Sequence, residues 1–342
     1  MSKTSSKIQA QFLEKNHWVV TGAAGFIGSN LVEALIKNNQ IVYGIDNLST
    51  GHIDNINRLK ALSKKYKNSK FKFLKIDITN LNKMLGTLKG CRVDFILHQA
   101  ALGSVPRSIK DPLNTNNANV NGFLNILELS KILNIKKLIY ASSSSVYGDE
   151  LSLPKVEHKI GNPLSPYAVS KRVNELYAQV YGKNYQIQTI GLRYFNVFGP
   201  WQDPNGPYAA VIPRWIERAM LGKDLEIYGD GKTSRDFCYI DNVVAANFLA
   251  AFSDKDASNK VFNIACNDKV SLNKVSSIIK NTVKEHTSIK DLKTIYLPFR
   301  DGDIRHSIAD ISLARKYLNY EPKFYFNEAI QNTILWYLNG NK

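Results

Sequence analysis

Between residues 17 and 196, short apolar runs alternate with longer stretches of mixed apolar and polar positions. HWVVTG (17–22), IVYGID (41–46), FKFLKID (71–77), VDFILHQA (93–100), KKLIYASS (136–143) and QTIGLRYFN (188–196) have the length and apolar content of buried strands. Phe26 to Lys37 reads as a helix, as does 113–133, with Leu124, Leu127 and Leu133 among its apolar positions. Strands alternating with helices predict a Rossmann-type, doubly wound parallel sheet in an α/β fold. After Asn196 the rhythm loosens, and Gly and Pro thicken between 199 and 213. Helices over 213–221 and 242–251, short strands LEIYG and CYI, and strand candidates VFNIAC and TIYLP follow. Ser271 has the chemistry of an N-cap and opens a further helix. The expected division is a parallel-sheet domain over 1–197, with a returning segment at about 238–262. A smaller α/β domain over 198–342 is then discontinuous, built from about 198–237 and 263–342.

Composition narrows this picture. With 44% hydrophobic residues in 342, the chain can bury a large core. No apolar run reaches bilayer length, and the polar opening MSKTSSKIQAQFLEKN lacks the apolar centre of a signal peptide. Cys91, Cys238 and Cys266 are few, odd in number and far apart, which argues against a disulfide framework or a zinc site. A reducing cytoplasm is expected, with no membrane partner and no metal. The formal charge is +16, yet the lysines are scattered apart from Lys64, Lys65, Lys67 and Lys70. No basic helix interleaved with aromatics is present, so the charge favours anionic small molecules over nucleic acid.

TGAAGFIG carries Gly22, Gly25 and Gly28 directly after a strand and at the start of a helix. In that setting glycine permits a tight turn and close approach to a pyrophosphate, and the helix N-terminus supplies free N–H groups. Asp46 closes the second strand 18 residues after Gly28. A carboxylate there suits ribose hydroxyls and repels a 2′-phosphate, which favours NAD over NADP. Asp77 is expected near the adenine or as a plain strand-end cap.

SPYAVSK (165–171) places Tyr167 and Lys171 one helical turn apart, behind a capping Ser165 and a first-turn Pro166. A nearby ammonium and an oxidised nicotinamide would both lower the phenol pKa toward the range of a general base. ASSSSVYG (141–148) puts four serines at the end of the fifth strand, where open sheets bind ligands.

The motifs GAAGFIG, DNLSTG, HQAA, SSSSVYG, YAVSK and RYFNVFGP resemble the extended short-chain dehydrogenase/reductase family. SVPRS, RDFCYIDN and RDGDIRHS are similar to its nucleotide-sugar 4-epimerases, and most of all to the UDP-N-acetylglucosamine 4-epimerase group of surface polysaccharide biosynthesis. The likeness runs from about 17 to 340. It implies Ser143 as the catalytic hydroxyl, Tyr167 as the base, and Lys171 on the nicotinamide ribose. Phe26, Ile27, Asp46, Asn47, Asp77, Ile78, Gln99, Ala100, Ala101, Ser142 and Tyr194 match cofactor positions, and Asn119 one that helps hold the lysine or cofactor. On the substrate side it implies Gly103, Ser104, Ser143, Ser144, Tyr167, Asn196, Glu226 (through its backbone), Tyr228, Arg235, Arg300 and Ser307. Arg235 and Arg300 would grip the diphosphate of a UDP-sugar.

The same scaffold serves dehydratases and decarboxylases. Dehydratases carry Asp and Glu just after the catalytic hydroxyl; Ser144 and Ser145 stand there instead, and no Glu marks a UDP-glucuronate decarboxylase. A non-catalytic NAD(H)-binding regulator is disfavoured by the intact Ser-Tyr-Lys set. Ser307, seven residues after Arg300, matches a gate beside the sugar 2-substituent, and its small size leaves room for N-acetyl. The resemblance therefore implies UDP-GlcNAc/UDP-GalNAc 4-epimerisation, with their uronic acids as further candidates. It also implies a homodimer paired through a four-helix bundle.

Overall fold

The computed structural model describes residues 11–206, 209–299 and 305–340. Six strands arise where the apolar runs predicted them: β1 (His17–Thr21), β2 (Ile41–Asp46), β3 (Lys70–Lys75), β4 (Phe95–His98), β5 (Lys137–Ser143) and β6 (Thr189–Tyr194). Two strands from the second half follow, β7 (Leu225–Tyr228) and β8 (Lys260–Ile264), then β9 (Thr294–Leu297). The main sheet has seven strands in the order β8-β6-β5-β4-β1-β2-β3, all parallel. Sequence pattern predicted six of these. The seventh comes from VFNIAC, which pairs with β6 in the register Lys260↔Ile190 through Ile264↔Tyr194.

β4, β5 and β6 are buried along their whole length, as parallel strands covered on both faces must be. One large core cluster joins the sheet to the C-terminal helices and includes Trp18, Leu31, Phe195, Ile216 and Ile330. Trp18 stacks on Phe95 at 4.5 Å between ring centroids. A second cluster on the opposite side of the sheet includes Val19, Ile96, Phe123 and Leu138.

Strand order reverses at β1. The chain runs outward through β2 and β3, then returns to place β4 on the other side of β1. The crevice beyond the carboxyl ends of β1 and β4 is where such sheets bind ligands. β3 ends at Lys75, so Asp77 lies two residues past it and accepts from the Thr79 N–H and hydroxyl.

The helix predicted over 113–133 is interrupted. Pro112–Asn116 and Gly122–Ile132 are α-helical, and Asn117–Asn121 between them forms a π-turn. The backbone stays right-handed helical through Asn116, Asn117, Asn121 and Gly122. The later helices begin two residues earlier than their patterns suggested, at Val211–Met220 and Ile240–Ala251. Ser271 caps Leu272–His286 as expected, accepting from the Lys274 N–H. β7 and β9 pair in parallel beside the main sheet, apart from it.

Candidate active site

The glycine turn is dictated by close contacts. Gly22 has φ +69°, and a Cβ there would lie 2.8 Å from the Ala100 nitrogen. A Cβ on Gly28 would fall 2.0 Å from the Gly22 carbonyl oxygen, which is backbone and cannot yield. The turn closes through Gly25 N–H to Gly22 O at 3.0 Å and delivers the chain into Phe26–Lys37. Asp46 braces it from β2: its carboxylate accepts from the Ala24 N–H at 3.0 Å and the Leu48 N–H at 2.7 Å. Burial outweighs these bonds and raises the Asp46 pKa above the ordinary carboxylate value. Burial acts the same way on Asp77, but bonds from Thr79 and Asn47 outweigh it and hold that pKa low.

A cavity of about 480 Å³ opens over this turn. Of the residues expected at a cofactor, Gly22, Gly25, Phe26, Ile27, Gly28, Asp46, Asn47, Asp77, Ile78, Gln99, Ala100 and Ala101 all line it, and Gly103 joins them. They come from the ends of β1, β2, β3 and β4. The sequence reading missed His52, Arg107, Asn114, Asn117, Trp201 and Asp203 on the same wall. Arg107 lies in the SVPRS stretch. The others are polar or aromatic loop residues whose approach depends on tertiary structure. Trp201 and Asp203 reach in from the second half of the chain. The Arg58 guanidinium packs 3.8 Å from the Trp201 ring, and His52 meets Asp203 at 3.1 Å.

Ser165 caps Pro166–Tyr185 by accepting from the Ala168 N–H, as the SPYAVSK motif predicted. Tyr167 and Lys171 stand on the same face, with the ammonium 6.0 Å from the ring centre. Ser143 ends β5 and hydrogen-bonds the Tyr167 side chain; its oxygen also accepts from the Ser145 N–H. Ser144 begins the short 3₁₀ turn Ser144–Tyr147 and is half-buried. The phenol pKa is raised: burial dominates, and the Ser143 bond offsets it only in part. The lowering expected from Lys171 does not appear, because a lysine brought down to about 8 is neutral before the raised phenol gives up its proton. Burial brings Lys171 down to about 8, with Glu175 opposing that shift, and its ammonium donates to the Ala141 carbonyl at 2.9 Å.

Three expected cofactor contacts are engaged elsewhere. The Ser142 hydroxyl donates to Glu175 at 2.6 Å, because alternate residues of β5 face opposite sides of the sheet. The Tyr194 hydroxyl accepts from Asn247 at 2.9 Å and donates to Gln99 at 3.2 Å, so it supports Gln99 from beneath. Asn119 holds the Leu102 backbone at both N–H and carbonyl and donates to the Ser170 hydroxyl, and so touches the neighbour of Lys171.

A second cavity of about 240 Å³ is lined by Asn196, Glu226, Tyr228 and Arg235 among the expected substrate residues. Arg214, Trp215 and Thr233 share it and were missed. The Glu226 carboxylate pairs with Arg214 and Arg218, and its carbonyl already accepts from the Trp215 indole. Asn196 donates to the Asp236 carbonyl, and Arg235 donates to the carbonyls of Ser234 and Arg305. Ser307 N–H donates to Ser234 O at 3.1 Å, next to Arg235. Ser104 caps Val105–Lys110 by accepting from the Arg107 N–H. Arg300 lies outside the described residues.

A crevice at a strand-order reversal, a glycine turn at a helix N-terminus and a Ser-Tyr-Lys set beside them define a dinucleotide-dependent enzyme of the Rossmann class. The chain belongs to the NAD dependent epimerase/dehydratase family, whose pattern it matches over residues 18–265. A UDP-N-acetylglucosamine 4-epimerase from Methanobrevibacter ruminantium M1, solved with UDP-N-acetylmuramic acid, is 39% identical with a TM-score of 0.84 over 96% of this chain and 99% of that one. The UDP-glucose 4-epimerase of Thermotoga maritima, solved with UDP-glucose, is 34% identical with a TM-score of 0.86 over 95% and 100%. The UDP-glucuronic acid 4-epimerase of Bacillus cereus, solved with UDP-glucuronic acid and NAD, is 32% identical with a TM-score of 0.82 over 94% and 99%.

The cofactor of this protein is NAD, and the residues present fit it. The space over Gly22 and Gly28 is one that a Cβ would fill, and among the described residues Asp46, at the end of β2, bonds the Ala24 and Leu48 N–H groups and no lysine or arginine that would welcome a 2′-phosphate. Among the described residues no helix is long and apolar enough to cross a membrane.

Proposed function

We propose that the protein interconverts UDP-N-acetylglucosamine and UDP-N-acetylgalactosamine by epimerisation at C4. The observation that carries the choice of sugar is the small side chain of Ser307, whose backbone is tied beside Arg235. The similarity to an N-acetylglucosamine epimerase supports it. Tyr167, bonded to Ser143, takes the proton from the sugar 4-hydroxyl and later returns it. NAD, when bound, supplies hydride acceptance and return at C4. Lys171 holds the cofactor ribose, and its charge favours the phenolate form of Tyr167 once substrate is seated. Asn196, Tyr228 and Arg235 hold the nucleotide, so remote binding energy retains the 4-keto sugar while its two faces exchange.

Ser144 and Ser145 fit this reading, because epimerisation needs no second acid next to Ser143. The basic chain also suits the corresponding uronic acids. NMR of product mixtures after separate incubation with UDP-GlcNAc, UDP-Glc and UDP-GlcNAcA tests the assignment. Much faster turnover of UDP-glucose than of UDP-GlcNAc would sink it. Tyr167→Phe should abolish turnover and spare NAD binding.

The same reading includes a homodimer. Val169, Leu176 and Val180 are each about half exposed along Pro166–Tyr185, and Leu113 and Ile109 stand more exposed on the helices packed beside it. An apolar stripe of this kind is what a four-helix pairing between two copies would cover.

A further inference from the structure

Glu175 follows Lys171 by one turn of Pro166–Tyr185 and is almost fully buried. One carboxylate oxygen accepts from Arg193 Nε at 2.8 Å and from the Ser142 hydroxyl at 2.6 Å. The other accepts from Arg193 Nη2 at 2.9 Å and Arg172 Nη1 at 3.0 Å. One anion therefore joins three elements. Ser142 belongs to β5 and directly precedes Ser143, Arg193 belongs to β6, and Glu175 lies on the helix that carries Tyr167 and Lys171.

We infer that Glu175 is a positioning residue for the acid–base set, fixing Ser143 and Lys171 relative to Tyr167. This rests on the proposed roles of Tyr167, Ser143 and Lys171. Carboxylates buried with bidentate arginine partners are high-stakes arrangements: fully satisfied, they fix geometry, and a small misplacement at a reacting centre is expensive. Around the pair, Lys171 and Arg172 come from the helix, Arg193 from β6, and Tyr140 from β5. On the far side, Arg193 meets the Tyr147 ring and the Glu157 carbonyl, and its charge also acts on the Glu157 carboxylate. Lys171 also faces Tyr167 and the neutral His98 of β4, whose pKa burial lowers to about 3. Glu175 is thus the nearby anion that opposes the desolvation of Lys171.

The test is kcat and KM against pH for the full-length enzyme with NAD, using UDP-GlcNAc as substrate. NAD content and thermal melting are read on the same samples. Glu175→Gln strands the Arg193 charge and can fail to fold. Glu175→Gln with Arg193→Met removes both charges together and avoids that. The double variant is expected to retain NAD, keep KM within about twofold, lose about tenfold or more in kcat, and move the high-pH limb of kcat downward. A double variant that melts lower but keeps the wild-type kcat and pH profile overturns the inference and leaves Glu175 a structural brace. Tyr167→Phe is assayed in parallel. If that variant still turns over, the acid–base reading itself fails. If it is dead while the double variant is fully active, only the positioning role fails.

Discussion

Lys171 shows how the role proposed for a single residue can run against the fold. Its pKa falls from 10.5 to about 8 on burial, so the folded protein disfavours the ammonium that the proposed chemistry needs. A base with a depressed folded pKa contributes stability that is complete above 10.5 and is lost as pH falls through about 8. At neutral pH the enclosed charge therefore costs about 3 kcal/mol, offset by the bond to the Ala141 carbonyl. Lys171→Met should raise the Tm of cofactor-stripped protein at pH 7 while abolishing turnover, and the gain should shrink as the pH is raised toward 10. Melting curves of both proteins across that range check this. Gly28→Ala is the opposite case: its methyl would lie 2.0 Å from backbone, so NAD content on purification should collapse together with Tm. The chemistry at residue scale was legible where a motif fixes a local geometry. Gly22, Gly28, Ser165 and Tyr167 could be placed from spacing alone. Ser142 and Tyr194 could not, because strand alternation and long-range partners such as Glu175 and Asn247 decide where their hydroxyls point.

At the scale of elements, the strands were the most readable. Burial on both faces of a parallel sheet leaves an apolar run that needs no periodicity to be seen. β8 was visible as a strand but not as a member of the main sheet, since nothing local to VFNIAC says that β6 will be its neighbour. The helix Pro166–Tyr185 has two distinct faces, with Tyr167 and Lys171 inward and Val169, Leu176 and Val180 outward. Leu176→Glu should yield monomers by sedimentation if the outward stripe is a dimer contact. The same helix depends on its first turn. Ser165→Ala removes the bond to the Ala168 N–H and should cost about 1 kcal/mol in a denaturant titration.

For the whole molecule, the cofactor cavity is assembled from residues between Gly22 and Asp203, so no short stretch of the chain contains it. Sequence motifs identified the floor of that cavity from Gly22 to Ala101. The wall contributed by Trp201 and Asp203 was invisible because it depends on a loop from the second half of the chain being held by Arg58 and His52. The net charge of +16 acts at this scale as well. It should draw a doubly anionic nucleotide sugar toward the site, so kcat/KM should fall as salt shortens the Debye length from about 10 Å at 0.1 M, with kcat unchanged. Ser307→Tyr should shift preference toward UDP-glucose over UDP-GlcNAc, measured as the ratio of the two kcat/KM values.

The π-turn at Asn117–Asn121 has a further consequence, for the phase of the chain. One surplus residue in the turn offsets the faces of Pro112–Asn116 and Gly122–Ile132 by roughly 100° from an uninterrupted α-helix. That offset is what aims Asn119 at Leu102 and Ser170. A one-residue deletion within the turn would restore a continuous helix, and it should be tolerated by the fold better than deletions elsewhere in the same helix. It would also turn Asn119 away from the loop it holds. The surplus residue works as a spacer in angle rather than length, and the alignment of the cavity wall with Pro166–Tyr185 depends on it.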